Sequence, residues 1–256
     1  MAECLADRLG YPLLGREVVQ TAAAELGVPA QLVEEKMKDR PSLWERFSSM
    51  RWTYIVAVQA ALWEKAVAGN LVYHGLAGGL LLRDAPCLLC LRLIAPIERR
   101  IRVVMAESGM DAAMAERFIR DIDESRSRWV KAMYGEDIMD PALYDLVINL
   151  ETITVAGACA LTGRAIEHPG FEVSDAVRAK LQDLRLASRV KLSLVADPEL
   201  RPLKLDARAE RGVVSIFGQV PMRHGGRTGD RIAERAKSVA GVEQVRLHVE
   251  WYDPYP

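Results

Sequence analysis

The chain has little of what would staple, anchor or export it. Four cysteines in 256 residues are too few for a disulfide framework, and only Cys87 and Cys90 lie close together. They fall in the apolar run Pro86-Cys-Leu-Leu-Cys-Leu-Arg-Leu-Ile, which reads as a strand whose alternation sends the two thiols to opposite faces. With no second Cys/His pair at zinc spacing, no metal site is expected. No apolar stretch reaches the ~18 residues of a membrane span, because Arg83 and Asp84 interrupt Leu71–Leu91. The start, Met1-Ala-Glu-Cys-Leu-Ala-Asp-Arg-Leu, puts acids where a secretory signal needs a basic beginning and an apolar run. The expectation is a cytoplasmic protein with no membrane span. An excess of charge is missing too. Lys and Arg number 34 against 35 Asp and Glu, a net of −1, which argues against a general nucleic-acid binder.

What is present is core-forming material. Half of the residues are hydrophobic, and a chain of this length suggests one medium domain and one small one. Charge divides unevenly: residues 1–168 hold 19 basic and 23 acidic side chains, whereas 186–252 hold 12 and 8. The tail is mildly cationic.

Leu5, Ala6 and Leu9 recur at helical spacing and Gly10 stops them. Tyr11-Pro-Leu-Leu reads as a short strand leading to a helix over Arg16–Leu26. Trp44, Phe47, Tyr54, Val58, Leu62 and Val67 mark a long helix closing at Gly69-Asn70. Leu71-Val-Tyr-His and Leu88–Ile94 read as buried strands with one short helix in Ala77–Leu82 between them. Helices follow over Ile97–Ser108, with Arg99, Arg100 and Arg102 on the solvent side, and over Met114–Tyr134. Tyr144–Asn149 is the last strand of this part and Val155–Ile166 its closing helix. Such alternation predicts an α/β domain over 1–168 with a parallel sheet covered on both faces. His168-Pro-Gly-Phe-Glu-Val-Ser opens a linker, 169–185. Over 186–256 the grammar changes to a helix Leu186–Ala196, a hairpin Leu203–Ala209 and Val213–Val220 turned at Glu210-Arg-Gly212, a helix Asp230–Val239, and a strand Gln244–Trp251. That is a small α+β module of α-β-β-α-β order.

One cluster carries chemistry. In Asp123-Glu-Ser-Arg-Ser-Arg-Trp-Val-Lys, three cations, Arg126, Arg128 and Lys131, fall within two helical turns, with Arg126 about 160° around the axis from Arg128. Such cations could clamp transferring phosphoryl groups; a solvated charged face is the plainer reading. The glycines of Gly75-Leu-Ala-Gly-Gly could bare backbone amides to an anion, but the Lys-Ser/Thr of a phosphate loop does not follow.

The order of these pieces resembles the cytidylate kinase-like family of P-loop nucleoside monophosphate kinases. It is carried by Leu9-Gly-Tyr-Pro-Leu-Leu-x-Arg-Glu, Leu71-Val-Tyr-x-Gly, Ala95-Pro-x-Glu-x-Arg-Ile, Asp123-x-x-Arg-x-Arg with Tyr134-Gly, and Asp140-Pro-x-x-Tyr-Asp-Leu-Val-Ile-Asn. The resemblance implies transfer of the ATP γ-phosphoryl to a nucleotide with magnesium, and a mobile lid over about 110–140 whose cations would be Arg126, Arg128 and Lys131. It also marks departures. The family's first strand and Gly-rich phosphate loop have no counterpart in these residues, Gly15 stands where the family has Asp, and Leu76 where it has Arg. A degenerate or N-terminally truncated kinase is therefore expected, using ATP and Mg only if translation starts upstream, with a non-enzymatic scaffold as the rival. The tail resembles a BON domain through Ala187-x-x-Val-Lys, Val214-x-Ile-x-Gly-x-Val and Gly241-Val-x-x-Val. That implies a lipid or small-ligand partner, with Arg223, His224 and Arg227 as the anion-contacting candidates.

Overall fold

A computed structural model describes residues 1–38, 49–75, 77–222 and 225–253. The elements run α1 (Ala2–Leu9), β1 (Leu13–Leu14), α2 (Glu17–Leu26), α3 (Ala30–Lys38), α4 (Ser49–Ala66), β2 (Val72–Tyr73), α5 (Gly78–Leu81), β3 (Leu91–Ile94), α6 (Ile97–Ser108), α7 (Ala112–Tyr134), β4 (Leu146–Asn149) and α8 (Val155–Ala165). They continue with α9 (Asp175–Ala196), β5 (Asp206–Glu210), β6 (Val213–Pro221), α10 (Gly225–Lys237) and β7 (Gln244–Tyr252).

The main core is built around α4. Tyr54, Val58 and Leu62 recur every four residues and are buried, as are Ile55, Ala57, Ala61 and Trp63 on the flanks. Apolar on nearly every side, this helix belongs in the middle. Val18, Ala22 and Ala23 of α2, Val33 of α3, Trp129 and Val130 of α7 and Leu181 of α9 close around it. Trp44 and Phe47, which the periodicity assigns to the same helix, lie outside the described residues.

Parallel pairing is found, but not as one sheet. β1 pairs with β2 through Leu13↔Val72 and Leu14↔Tyr73, and β3 pairs with β4 from Leu91↔Leu146 to Ile94↔Asn149. The two pairs are separate. The amides of Val72 and His74 donate to Pro12 and Leu14, and alternate residues of a parallel strand address opposite edges. The backbone of Tyr73 is thereby turned to the edge away from β1. The expected cover on both faces is incomplete as well, because Ile94 is 38% and Val147 42% exposed. Nor does the strand begin at Leu88. The Cys90 amide donates to Asp145 Oδ2 at 2.6 Å, which takes it out of any ladder, so Cys87 and Cys90 precede β3 instead of alternating within it.

The segment read as a linker is mostly helix. After a 3-10 turn at Pro169–Phe171, the Ser174 side chain accepts the Val177 amide and caps α9. No breaker follows before Asp197. Val177, Leu181 and Leu184 pack into the main core, whereas Leu186, Val190 and Leu194 belong to the tail core. One 22-residue helix thus serves both. Glu64 of α4 receives Arg185 at 3.0 Å and Arg189 at 3.2 Å across the junction.

In the tail, β5 is antiparallel to β6 and β6 parallel to β7. Arg211 and Gly212, with φ of 48° and 79°, form a two-residue turn with positive φ at both positions, whose twist matches the right-handed twist of the flanking strands. The Arg211 amide donates to Asp183 Oδ1 at 2.8 Å, tying that turn to α9. Val214, Ile216 and Val220 pack on Ile232 and Ala236 of α10. This helix begins at Gly225, not at Asp230.

Candidate nucleotide site

The pair α6–α7 forms an arm. No residue of α6 is buried, and α7 runs for 23 residues, about 35 Å at 1.5 Å per residue. Asp111 Oδ1 accepts the Met114 amide at 2.8 Å and caps the start of α7; Gly135, at φ 73°, ends it and gives its carbonyl to Lys131 Nζ at 3.0 Å. Arg100 of α6 grips Asp123 of α7 with two bonds, 2.6 and 2.8 Å. The arm is anchored at the far end of α7, where Trp129 and Val130 enter the main core. Trp129 and Tyr134 pack with ring centroids 5.8 Å apart, and the Arg83 guanidinium sits 5.9 Å from the Tyr134 centroid. Burial pushes the Tyr134 hydroxyl up.

The three lid cations separate in this geometry. Ala115, Ile119, Ile122, Arg126, Val130 and Met133 follow one another at steps of three and four, so they share one face. Ala115, Ile119 and Val130 are buried. Arg126 lies in the middle of that face and is nevertheless exposed, so the inward side of the arm is open at its level. Among the described residues Arg126 has no ion-pair partner. Arg128 projects from the opposite side and pairs with Glu124, and Lys131 is committed to the Gly135 carbonyl.

Around the arm's root, polar side chains fix loops. Arg92 of β3 donates to the Ile138 carbonyl, contacts Met139 Sδ and lies 5.4 Å from the Tyr144 centroid. Of the α6 cations expected to face solvent, only Arg102 does so freely: Arg100 is paired, and Arg99 donates to the carbonyls of Leu150 and Glu151. A cavity of about 500 Å³ lies along α6, lined by Pro96, Glu98, Arg99, Arg102, Val103 and Glu151. Its two guanidinium groups, Arg99 and Arg102, are matched by two carboxylates, Glu98 and Glu151.

The glycines after β2 have a packing cause. A Cβ on Gly75 would stand 2.2 Å from Tyr73 Oη, and one on Gly78 2.5 Å from Tyr73 Cδ1, while one on Gly79 would meet Cys90 Sγ at 2.8 Å. The loop is folded around the Tyr73 ring and the Cys90 sulfur. Position 15 is roomier: a Cβ there meets His74 O at 3.6 Å. Next to it, Arg16 forks onto Glu34 at 2.8 to 3.1 Å. Among the described residues no three His, Cys, Asp or Glu side chains gather as a metal site, and no helix is long and apolar enough to cross a membrane.

In the tail, Arg223 and His224 lie outside the described residues, and Arg227 is exposed in the first turn of α10. Sequence reasoning missed the dominant electrostatic feature there. Asp197, 1% exposed, receives Arg231 at 2.9 and 3.0 Å, Arg235 at 3.0 Å and the Glu199 amide at 3.0 Å. Burial alone would raise its carboxyl, but these donors outweigh burial and hold it down at about 2. Its signal was an Asp closing a helix, followed by Arg231 and Arg235 one turn apart.

The profile of the cytidylate kinase-like family matches residues 1–152. A cytidylate kinase of Pyrococcus horikoshii is 33% identical over 106 residues, 41% of this chain and 54% of that protein. One from Pyrobaculum arsenaticum is 31% identical over 106 residues, 41% of this chain and 57% of its own length. The chain thus spans about half the length of these curated relatives. A cytidylate kinase of Pyrobaculum aerophilum is 25% identical over 163 residues, 63% of this chain and 82% of that protein. Among solved structures, an uncharacterized protein from Eubacterium ventriosum aligns with a TM-score of 0.49 at 17% identity, covering 65% of this chain and 89% of its own.

Proposed function

This chain belongs to the cytidylate kinase-like family, and from that premise we propose that residues 1–168 bind a nucleotide phosphate under the α6–α7 arm, with Arg126 as the primary contact. One observation carries the reading: an exposed guanidinium with no ion-pair partner among the described residues, on the same face of α7 as the buried Ala115, Ile119 and Val130. Arg128 and Lys131 are reserve cations, released only if Glu124 or the Gly135 carbonyl lets go. The family relation supplies the ligand class, a nucleoside monophosphate such as CMP, since relatives of this chain are cytidylate kinases.

Phosphoryl transfer needs more. A phosphate loop cradles ATP phosphates on backbone amides and completes them with Lys-Ser/Thr, and no Gly-Lys-Ser/Thr occurs in these 256 residues. The glycines at 75, 78 and 79 are spent on Tyr73 and Cys90. As it stands, the chain acts as a degenerate kinase in nucleotide binding or regulation in the cytoplasm. A form extended upstream by a strand and loop would use ATP and Mg, and the separate β1–β2 and β3–β4 pairs leave an edge at β2 for such a strand. Residues 186–256 act as a BON module for a small anionic ligand or lipid headgroup, with Arg223, His224 and Arg227 as contacts. Their α-β-β-α-β order supports that reading, as does Gly218, where a Cβ would stand 2.7 Å from Leu205 Cδ2.

Isothermal titration separates these forms. The 256-residue chain should bind CMP and give no heat with ATP·Mg, and a form extended upstream should bind both. Saturable ATP·Mg binding by the 256-residue chain would overturn the degenerate reading.

A further inference from the structure

Two cysteines far apart in sequence meet where α1 packs on α8. The register is set by Arg8 and Gly163: a Cβ on Gly163 would stand 2.7 Å from Arg8 Nε and 3.1 Å from Arg8 Cδ, so the Arg8 side chain lies directly across that glycine. Cys4 is one turn before Arg8 and Cys159 one turn before Gly163, on helices that pack together. The Cys159 thiol lies within electrostatic reach of the Cys4 thiol. A disulfide needs Cα atoms within about 7 Å, closer than the usual 8–10 Å between helix axes, and the buried residues of α8, Ala158, Cys159, Thr162 and Gly163, are all small. Cys159 is buried at 2% exposure, whereas Cys4 is half-buried.

We propose that Cys4 and Cys159 are an oxidisable dithiol that closes to an intrachain disulfide between α1 and α8 when the chain meets a peroxide. The accessible Cys4 reacts first. Its thiolate attacks one peroxide oxygen, an S–O bond forms, the O–O bond breaks, and hydroxide leaves to become water. The Cys159 sulfur then attacks the Cys4 sulfur, the S–S bond forms as the S–O bond breaks, and the departing hydroxide takes the Cys159 proton as a second water. Two thiols and one hydrogen peroxide give one disulfide and two waters. Burial and the Cys4 contact push the Cys159 thiol up, which suits a resolving partner that stays protonated until Cys4 is oxidised. Cytosolic disulfides of this kind are typically transient and redox-sensing.

Peroxide treatment of the full chain, followed by alkylation and non-reducing peptide mapping, tests it. The expected product is a linked pair of peptides containing Cys4 and Cys159, reversed by dithiothreitol, with Cys87 and Cys90 still alkylated. In Cys159→Ser, dimedone should capture Cys4 as its sulfenic acid. In Cys4→Ser, a change at the less buried position, Cys159 should stay unmodified. Peroxide that leaves both thiols free, links Cys4 to a different cysteine, or joins two chains overturns the proposal.

Discussion

Arg126 and Arg128 are two residues apart and chemically identical, yet they stand on opposite sides of α7. An exposed i,i+4 pair such as Glu124–Arg128 contributes only a few tenths of a kcal/mol, so Arg128→Ala should move the melting temperature little and leave CMP affinity unchanged. Asp197 is a different kind of residue. Asp197→Asn removes the charge shared by Arg231 and Arg235 and should cost about 2–3 kcal/mol, read as a lower denaturation midpoint. The folded carboxyl is held below its ordinary 3.8, down to about 2, so its stabilisation is fully present above pH 4. It is lost as the pH falls from about 4 through 2. Wild type should converge on Asp197→Asn across that window in acid denaturation, and a constant difference down to pH 2 would count against the ion-pair hub. Gly78→Ala drives a methyl into the Tyr73 ring and should destabilise by about 1–3 kcal/mol. Gly15→Asp, where a Cβ has ordinary contact distances, should fold as wild type does in the same melt.

At the scale of elements, α9 decides how the two halves relate. A fragment beginning at Leu186 would lack the Ser174 cap and the Asp183 bond to the hairpin turn, whereas one beginning at Ser174 keeps both. Residues 174–256 should therefore melt cooperatively and at higher temperature than 186–256, by about 1 kcal/mol for the cap alone. Equal melts would mean that the first half of α9 belongs wholly to the main core. His168-Pro-Gly is a true break, but the Ser174 cap that starts the next helix comes only six residues later, inside the stretch that composition marks as linker. Elsewhere the elements were legible wherever periodicity and a stop coincided, as in α6, whose Ile97–Ser108 bounds lie between Pro96 and Gly109. β3 was read too long because apolar runs do not record where the ladder starts, and Asp145 sets that from 55 residues away. The inward aspect of Arg126 was legible as an angle. Its freedom was not, since Glu124 pairing with Arg128 and not with it is a matter of side-chain geometry.

Across the whole molecule, a nucleotide-kinase-like body and a small α+β tail share one helix and the Glu64–Arg185–Arg189 cluster. The body brings an arm, a cation and unpaired strand edges, and no Gly-Lys-Ser/Thr occurs in it. The affinity of the 256-residue chain for CMP against cytidine, in wild type, Arg126→Ala and Arg128→Ala, measures most directly which lid cation meets a phosphate. Arg126→Ala should weaken CMP at least tenfold, about 1.4 kcal/mol, and leave any binding of cytidine as it was, while Arg128→Ala matches wild type. Equal losses in the two variants, or a loss confined to Arg128→Ala, would contradict Arg126 as the primary contact.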